Sequence, residues 1–349
     1  MQEKLRLAVV GAGTVAELYH LPAAARHPHI EITALVERER ARAQRLAARY
    51  QVPAVLDDWA DVPKVADAAL IALPHFLHAP AAVDLMTQGV HVLVEKPMAL
   101  TSADAQRMVD TTHESGCALA VGFQCRFYRN AQLVKHLLAS GQLGRIESFE
   151  VEQGGPFSWP VIDGTAFRPE TGGGSLTGIG IHALDLALWW FGDYSAVTYF
   201  DDAMGGVEAD CEVRLSFPDG VQGTLAFSHR RALRNRWRIV AERGTLEMGT
   251  SFDQPLRLSC AGTPLQWEGL VHEGEAPDTH IRDVLMRQFD DLVRAARGGA
   301  KPLVNGEEGL RTVRLYEACQ RVRQPLQLPW VTGACALDTS PARAAGGAA

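Results

Sequence analysis

The sequence predicts two domains: an α/β domain with a doubly wound parallel sheet over residues 1–124, and an α+β domain with a large, mainly antiparallel open sheet over residues 125–330. Three observations lead to this prediction. The 349 residues are about twice the length of a common domain. Continuously apolar segments alternate with helical segments in the first part of the chain. In the second part, strand patterns follow one another through short turns. Residues 331–349 have little to bury, and we expect a disordered tail.

The apolar segments of the first domain predict buried parallel strands, because such strands are covered by helices on both faces. The predicted strands are Leu5–Val10, Ile32–Val36, Ala68–Leu73, His91–Glu95 and Cys117–Val121. The segments between them have helical composition or periodicity: Val15–Arg26, Arg38–Tyr50, Pro80–Gln88 and Ser102–Ser115. Right-handed crossovers then make a doubly wound sheet the expected topology.

The second domain is predicted to contain strands at Arg145–Gln153, Val197–Asp201, Cys211–Phe217, Val221–His229 and Trp237–Ala241. Its predicted helices are Asn130–Ser140, Ile181–Phe191, Ile281–Arg297 and Glu307–Val322. Phe217-Pro-Asp-Gly220 predicts a hairpin, because Asp-Gly tolerates the positive φ of a tight turn. We expect an apolar outer face of this sheet to support self-association, as a homodimer or homotetramer.

The charge balance limits the function classes. Lys and Arg number 34 and Asp and Glu 41, giving a net charge of −7, which argues against nucleic-acid binding and against a polybasic membrane surface. The most apolar stretch, Ile179–Phe191, is too short for a membrane span and contains two polar residues. The six cysteines form no CxxC pair, which favours reduced thiols in the cytoplasm over a zinc site. We interpret the apolar start, Leu7–Val10, as a buried strand and not an export signal.

A glycine loop directly follows the first predicted strand and opens a helix. In Gly11-Ala-Gly13-Thr-Val-Ala16, the first glycine permits the sharp turn and the second lets the backbone approach a pyrophosphate. The helix that begins at Thr14 and Val15 offers free N–H groups to the anion. This context predicts dinucleotide binding by a Rossmann domain.

The end of the second predicted strand bears on the choice of coenzyme. Glu37 lies about 20 residues beyond the glycine loop, where a carboxylate accepts hydrogen bonds from the ribose hydroxyls of NAD. Arg38 beside it would suit the 2′-phosphate of NADP. The prediction is therefore NAD, with NADP left open.

Lys96 follows a buried strand in the sequence Glu95-Lys96-Pro97, at the sheet edge where α/β proteins bind ligands. Beside a nicotinamide, its ammonium group would exchange protons with a substrate hydroxyl or hold its oxygen. Taken alone, a lysine at this position is usually a solvated strand end.

With these motifs in place, the sequence resembles the glucose–fructose oxidoreductase / inositol dehydrogenase / MocA-like family over about residues 4–325. The resemblance rests on the glycine loop, on Glu95-Lys96-Pro97, and on Gly172-Gly-Gly-Ser-Leu-Thr-Gly-Ile-Gly180-Ile-His182-Ala-Leu-Asp185. Further matching segments are Leu73-Pro-His75 with His78, Val121-Gly-Phe-Gln124-Cys-Arg126-Phe127, and Asn305-Gly-Glu-Glu-Gly309-Leu-Arg311.

The resemblance implies an NAD(P)-dependent oxidoreductase that acts on CH–OH groups of sugars, cyclitols or related polyols. It implies Lys96 and His182 as catalytic residues, and dimers or tetramers. The family segment GGGxLxDxGxH carries an Asp where this chain has Gly178, which would reduce the acid/base pair to Lys96 and His182. We expect His182 to receive the hydroxyl proton and Lys96 to stabilise the oxygen.

The predicted binding residues follow from these motifs. For the coenzyme they are Gly11, Gly13, Thr14, Val15, Glu37, Arg38, Leu73, Pro74, His75, His78, Glu95 and Lys96. For the substrate they are Gln124, Arg126, Trp159, Arg168 and His182, with Phe167 as a further stacking candidate. His75 and His78 lack a third ligand nearby in sequence, so no metal is predicted.

Two alternatives remain open. A lyase, dehydratase or epimerase with bound NAD would use the coenzyme transiently, and the absent acid at Gly178 motivates this hypothesis. A ligand-sensing regulator without turnover would use the same scaffold, because a fold does not determine activity.

Overall fold

The computed structural model describes residues 3–160, 164–264, 266–271 and 278–327. The predicted tail, residues 331–349, lies outside them. The first sheet has six strands, all parallel, in the order β3-β2-β1-β4-β5-β6. Its strands are β1 (Leu5–Val10), β2 (Ile30–Val36), β3 (Ala54–Leu56), β4 (Ala68–Ile71), β5 (His91–Val94) and β6 (Leu119–Val121). The predicted Rossmann topology is confirmed.

Helices connect these strands and cover the sheet. The first, α1 (Leu21–Ala24), continues a short π-helix over Ala16–His20. The others are α2 (Arg40–Tyr50), α3 (His78–Thr87) and α4 (Ser102–Ser115). Helix α4 begins where the Thr101 hydroxyl accepts the Asp104 N–H, and ends at Gly116, whose φ is +72°.

The second sheet has nine strands in the order β14-β13-β12-β11-β7-β10-β9-β8-β15. Its pairs are antiparallel except β7 with β10 and β8 with β15, so the predicted mainly antiparallel sheet is confirmed. The strands are β7 (Ile146–Gly154), β8 (Ala196–Asp201), β9 (Asp210–Ser216), β10 (Gln222–Ser228), β11 (Arg236–Ala241), β12 (Gly244–Gly249), β13 (Leu256–Cys260), β14 (Gln266–Gly269) and β15 (Arg323–Pro325). The predicted hairpin turn joins β9 to β10, with Gly220 at φ +85°.

The outer face of this sheet differs from the expectation. Buried side chains alternate with less buried ones along β7, β9, β11 and β12, and most of the less buried ones are polar or charged. Neighbouring strands pair these charges, as where Arg236 and Arg238 both meet Glu247. The prediction of an apolar outer face is therefore wrong for these strands, because their solvent-side positions hold ion pairs.

The helices of the second part lie on both sheets. They are α5 (Arg129–Ala139), α6 (Ile181–Phe191), α7 (Ile281–Ala296) and α8 (Gly306–Arg321). Helix α7 buries Phe289 and Leu292 in the core beneath β1, and Glu317 of α8 accepts the N–H of Ser102 at the start of α4. The chain thus returns to the first domain after the second sheet. None of the helices in the described part of the chain is long and apolar enough to cross a lipid bilayer.

Candidate active site

The glycine loop after β1 has two glycines, which differ in backbone conformation and in their surroundings. Gly11 has φ +91°, and a Cβ there would lie 2.5 Å from the carbonyl oxygen of Ala72. At Gly13 a Cβ would meet no atom of the described residues within 4 Å. Thr14 and Val15 follow, and the Glu17 N–H donates to the Gly13 carbonyl at 2.9 Å as the helix begins. The loop therefore requires the first glycine, while the second leaves its backbone open to a ligand.

Glu37 ties the end of β2 to this loop. Its carboxylate accepts the N–H of Ala12 at 3.1 Å through Oε2, and the N–H of Glu39 at 2.9 Å through Oε1. Arg42 lies 3.5 Å from the same Oε2. The neighbouring Arg38 is exposed. Glu37, which is predicted to bind the ribose of the coenzyme, thus lies against the glycine loop.

The loop after β4 is fixed by His78. This buried imidazole has its Nε2 2.8 Å from the carbonyl oxygen of Leu73 and its Nδ1 2.8 Å from that of Pro97. Because both ring nitrogens contact main-chain carbonyls, His78 aligns Leu73 and Pro74 with the Lys96-Pro97 turn. Its position is that of a brace between two loops.

His75 is placed differently, with one nitrogen left over. Its Nδ1 is buried and has no hydrogen-bond partner among the described residues. A Cβ at Gly172 would lie 3.2 Å from this atom. The segment with the family's glycine motif, residues 172–182 (the glycine-rich segment), therefore comes close to the ring. Burial, followed by the charges of His78 and Lys96, lowers the pKa of His75 to about 3. The ring is therefore neutral at physiological pH.

Glu95, directly after β5, holds the main chain of Lys96 in place through a hydrogen bond. Its Oε1 lies 2.6 Å from Nε2 of His20, and its Oε2 accepts the Lys96 N–H at 3.1 Å. Burial opposes ionisation of this carboxyl, but the His20 hydrogen bond and the positive charges nearby lower its pKa to about 2. His20 is not among the predicted site residues, because only the fold brings it to Glu95.

The side chain of Lys96 joins the end of β5 to the glycine-rich segment. Its Nζ donates to the carbonyl oxygen of Gly178 at 2.8 Å and lies 3.5 Å from that of Thr177. Burial lowers the pKa of Lys96, and the neighbouring Glu95 opposes this. The structure thus brings the predicted lysine and the predicted segment together.

His182 follows at the start of α6. Its Nδ1 is buried without a hydrogen-bond partner in the described part of the chain, and its ring meets that of Phe123 edge-on at 5.9 Å. Burial, then the charge of Lys96, lowers the pKa of His182 to about 3. The site therefore holds a neutral imidazole with a free nitrogen near an ammonium group.

Arg126 requires a correction. Its side chain is 1% exposed, and its guanidinium donates to Asp185 at 2.8 and 2.7 Å and lies 2.8 Å from Glu308. Because carboxylates already occupy these donors, Arg126 links α6 and α8 and does not face a substrate.

Gln124, two residues earlier, is half-buried and forms a hydrogen bond with the Tyr128 hydroxyl. A substrate contact by Gln124 stays a prediction.

Trp159 lies beside the glycine loop. Its ring stacks on that of Tyr19 at 5.7 Å, and the next carbonyl, of Pro160, accepts the Thr14 hydroxyl at 3.2 Å. This places Trp159 on the coenzyme side of the predicted site. The side chain of Arg168 is exposed, while its carbonyl accepts the N–H of Gly173 at 3.0 Å. A substrate contact by either residue stays a prediction.

A second histidine, absent from the predicted set, reaches the glycine-rich segment. A Cβ at Gly178 would lie 3.0 Å from Cε1 and 3.2 Å from Nε2 of His229. His229 directly follows β10, and its position at the end of a predicted strand was the available signal. Within the described ranges, no group of three or more His, Cys, Asp or Glu side chains could hold a metal ion.

Comparisons with known proteins agree with this architecture. Residues 5–123 match the family model described as "Oxidoreductase family, NAD-binding Rossmann fold", and residues 131–247 match the "GFO/IDH/MocA C-terminal domain". The dTDP-3,4-didehydro-2,6-dideoxy-alpha-D-glucose 3-reductase of Streptomyces antibioticus is 30% identical over 261 residues, which are 72% of this chain and 77% of the relative.

Two further relatives have related names. The D-glucoside 3-dehydrogenase of Escherichia coli is 31% identical over 193 residues, 54% of each chain. The crystal structure of aldose-aldose oxidoreductase from Caulobacter crescentus superposes with a TM-score of 0.81 and 26% identity, covering 92% of this chain and 97% of that one. The resemblance predicted from the motifs is thereby confirmed. This chain belongs to the GFO/IDH/MocA family of oxidoreductases, whose first domain is an NAD-binding Rossmann fold.

Proposed function

We propose that this protein transfers a hydride between a nicotinamide dinucleotide and a secondary alcohol carbon of a sugar ring or a related polyol. One observation carries the proposal: the Lys96 ammonium contacts the carbonyl of Gly178, four residues before His182, at the carboxyl edge of the parallel sheet. Ligands of open parallel sheets bind at this edge. A cation and a neutral imidazole held there suit oxidation of an alcohol.

The residues present fit a dinucleotide. The open space at Gly13, which a Cβ would fill, is a cradle for a pyrophosphate against the first turn of the helix. The Glu37 carboxylate would accept hydrogen bonds from the hydroxyls of the adenosine ribose, and its negative charge would repel a 2′-phosphate. We therefore propose NAD as the preferred coenzyme. Arg38 keeps NADP as the second candidate, because it is exposed and forms no ion pair with the described residues.

The chain's own groups handle the substrate oxygen and its proton. The bound nicotinamide would supply or accept the hydride. The Lys96 ammonium, partly desolvated, would donate a hydrogen bond to the reacting oxygen and stabilise negative charge on it. The free Nδ1 of His182 would accept a hydrogen bond from a substrate hydroxyl beside the reacting carbon. The brace made by His78, and the Glu95 contact with the Lys96 N–H, would hold these groups in place.

The substrate class is proposed from aromatic surface and from the relatives. Phe167 is 54% exposed and packs edge-on against Phe157, which in turn meets His229. Exposed aromatic rings pack on the CH faces of sugars. Two relatives are named for reaction at position 3 of a hexose derivative. We therefore propose a hexose ring, with position 3 tested first.

The experiment is a substrate panel with both coenzymes. Purified protein is incubated with NAD or NADP and with glucosides, 3-keto sugars, dTDP-sugars and inositols, while the reduced coenzyme is followed by absorbance. The expected result is a change in coenzyme redox state with at least one sugar, and a ketone as product. Consumption of a sugar with no change in coenzyme would instead favour the redox-neutral lyase or epimerase.

We also propose a cytoplasmic homodimer or homotetramer. The five cysteines in the described ranges are free thiols, which suits a reducing compartment. Light scattering of the purified protein measures the assembly directly.

A further inference from the structure

The space beside Gly178 is filled by a side chain from the second sheet. The family motif places a carboxylate at this position, and this chain has none. The edge of the His229 ring, Cε1 and Nε2, lies at 3.0 and 3.2 Å from where a Cβ of residue 178 would be. These distances are tighter than ordinary van der Waals contact, so a side chain at 178 would require the ring to shift by a few tenths of an ångström. The imidazole therefore occupies the room into which the carboxylate would project.

The main chain holds His229 firmly at this place. Its N–H donates to the carbonyl of Ala209 at 2.8 Å, and its carbonyl accepts the N–H of Phe157 at 2.8 Å. The Phe157 ring packs edge-on against the imidazole, with centroids 5.0 Å apart. No described residue forms a hydrogen bond with the ring nitrogens, and the side chain is half-buried. The ring is thus fixed in position but open to a ligand and to water.

The two imidazoles of the site are both half-buried, but their ring nitrogens differ. Among the described residues, Nδ1 of His182 is buried without a partner, whereas neither ring nitrogen of His229 is buried in that way. The charges that act on His229 are Lys96, from the turn after β5, and Asp210, from β9. Burial, then Lys96, lowers the pKa of His229, and Asp210 opposes the shift. The next residues, Arg230 and Arg231, pair with Asp210. A neutral imidazole in contact with water can take a proton and release it.

We propose that His229 is the proton-accepting group of this site and replaces the carboxylate that the family carries at position 178. This inference rests on the proposed function. In the oxidation direction the substrate O–H bond breaks and its proton passes to a ring nitrogen of His229. The C–H bond breaks, the hydride with its electron pair leaves for the oxidised nicotinamide, and the C=O bond forms. The imidazolium then gives its proton to water, so the products are a ketone, reduced coenzyme and one proton.

The test exchanges the two groups. His229→Asn should lower kcat by about 100-fold, the range of general acid–base catalysis, and remove the fall of kcat/KM at low pH that reports the base. Gly178→Asp alone should also lower activity, because its Cβ lies too close to the ring and shifts it from its position. The double variant Gly178→Asp/His229→Ala should exceed His229→Ala by at least about 10-fold, since the carboxylate then takes the vacated room. His136→Asn, in an exposed histidine of α5, is the matched control.

A second measurement is independent of turnover. Coenzyme affinity by calorimetry should stay within about threefold of wild type in all five variants, because none alters the glycine loop. In an NMR titration of ¹⁵N-labelled histidines, the His229 midpoint should lie below the ordinary histidine value and rise in Lys96→Met. A His229→Asn variant with the rate and pH profile of wild type, or no rescue in the double variant, overturns this inference alone. A wild type that turns over no sugar with either coenzyme overturns it together with the proposed function.

Discussion

Lys96 donates a 2.8 Å hydrogen bond from its Nζ to the carbonyl oxygen of Gly178, and so joins the carboxyl end of β5 to the segment that leads into α6. The acceptor is a main-chain carbonyl and not a carboxylate, so this contact itself brings no opposite charge to Lys96; the neighbouring Glu95 supplies the opposing negative charge. Burial makes that charge less well hydrated and lowers the pKa of Lys96. An ammonium group in this setting interacts strongly with an oxygen that becomes negative during a reaction.

Substitution of Gly13 should mainly weaken coenzyme binding, whereas substitution of Gly11 should mainly lower stability. Gly13→Ala should leave the free energy of unfolding within about 1 kcal/mol of wild type, because its Cβ would contact none of the residues that the structure describes, yet weaken coenzyme binding by at least about 10-fold. Gly11→Ala should destabilise the fold by about 2 kcal/mol or more, since φ is +91° and Ala72 is in the way. Urea unfolding and calorimetry with NAD measure both. Equal coenzyme affinity in Gly13→Ala and wild type would contradict a pyrophosphate at this loop.

Glu37 should set the preference between coenzymes. Glu37→Ala removes the acceptor for the ribose hydroxyls and the repulsion of a 2′-phosphate, so NAD affinity should fall by about 10-fold while NADP affinity holds or rises. Glu39→Ser is the matched control, because serine keeps the N-cap that Glu39 provides for α2. Calorimetric titration with each coenzyme decides the matter. A similar loss for both coenzymes would mean that Glu37 only supports the loop through Ala12.

The corrected role of Arg126 is structural and can be measured as stability. Arg126→Leu leaves the buried Asp185 carboxylate unpaired and should lower the free energy of unfolding by about 3–5 kcal/mol. Arg126→Leu/Asp185→Leu should regain part of that loss. Arg107→Leu, which breaks an exposed pair with Asp104, should cost less than about 1 kcal/mol. An Arg126→Leu variant of normal stability but raised KM would restore the substrate role.

Glu208 should make stability depend on pH. Its Oε1 accepts the Leu176 N–H at 2.9 Å, and burial raises its pKa from 4.5 to about 7. Between these values the folded chain holds a proton that the unfolded chain has lost, so stability falls as pH rises. Glu208→Gln cannot ionise. Relative to wild type it should gain about 2–3 kcal/mol between about pH 5 and pH 8, by urea unfolding at each pH. A constant difference across this range would contradict the raised pKa.

Local pattern accounts for the elements that the sequence predicted well. The bounds of α4 and α6 match the prediction because a cap or an apolar run marks their ends. Edge strands were missed. Both β3 and β15 have three residues, with no fully buried position in either, so they carry no periodic apolar signal.

The site shows the same division. Lys96 and His182 stand in short motifs that can be recognised along the chain. His20 and His229 reach the site only through the folding of distant segments, and no local pattern links them to Glu95 and Gly178. Arg126 resembled a pocket residue by its place after a strand, but its acidic partners come from α6 and α8.

The central claim is hydride transfer at Lys96, and an isotope label tests it directly. A sugar deuterated at its reacting carbinol carbon is incubated with NAD and either wild-type protein or Lys96→Met, and the coenzyme is analysed by mass spectrometry. Deuterium should appear in the reduced coenzyme with wild type, and the rate should fall by at least about 100-fold in Lys96→Met while NAD still binds. Product formation with no deuterium in the coenzyme, or an undiminished rate in Lys96→Met, would contradict the account.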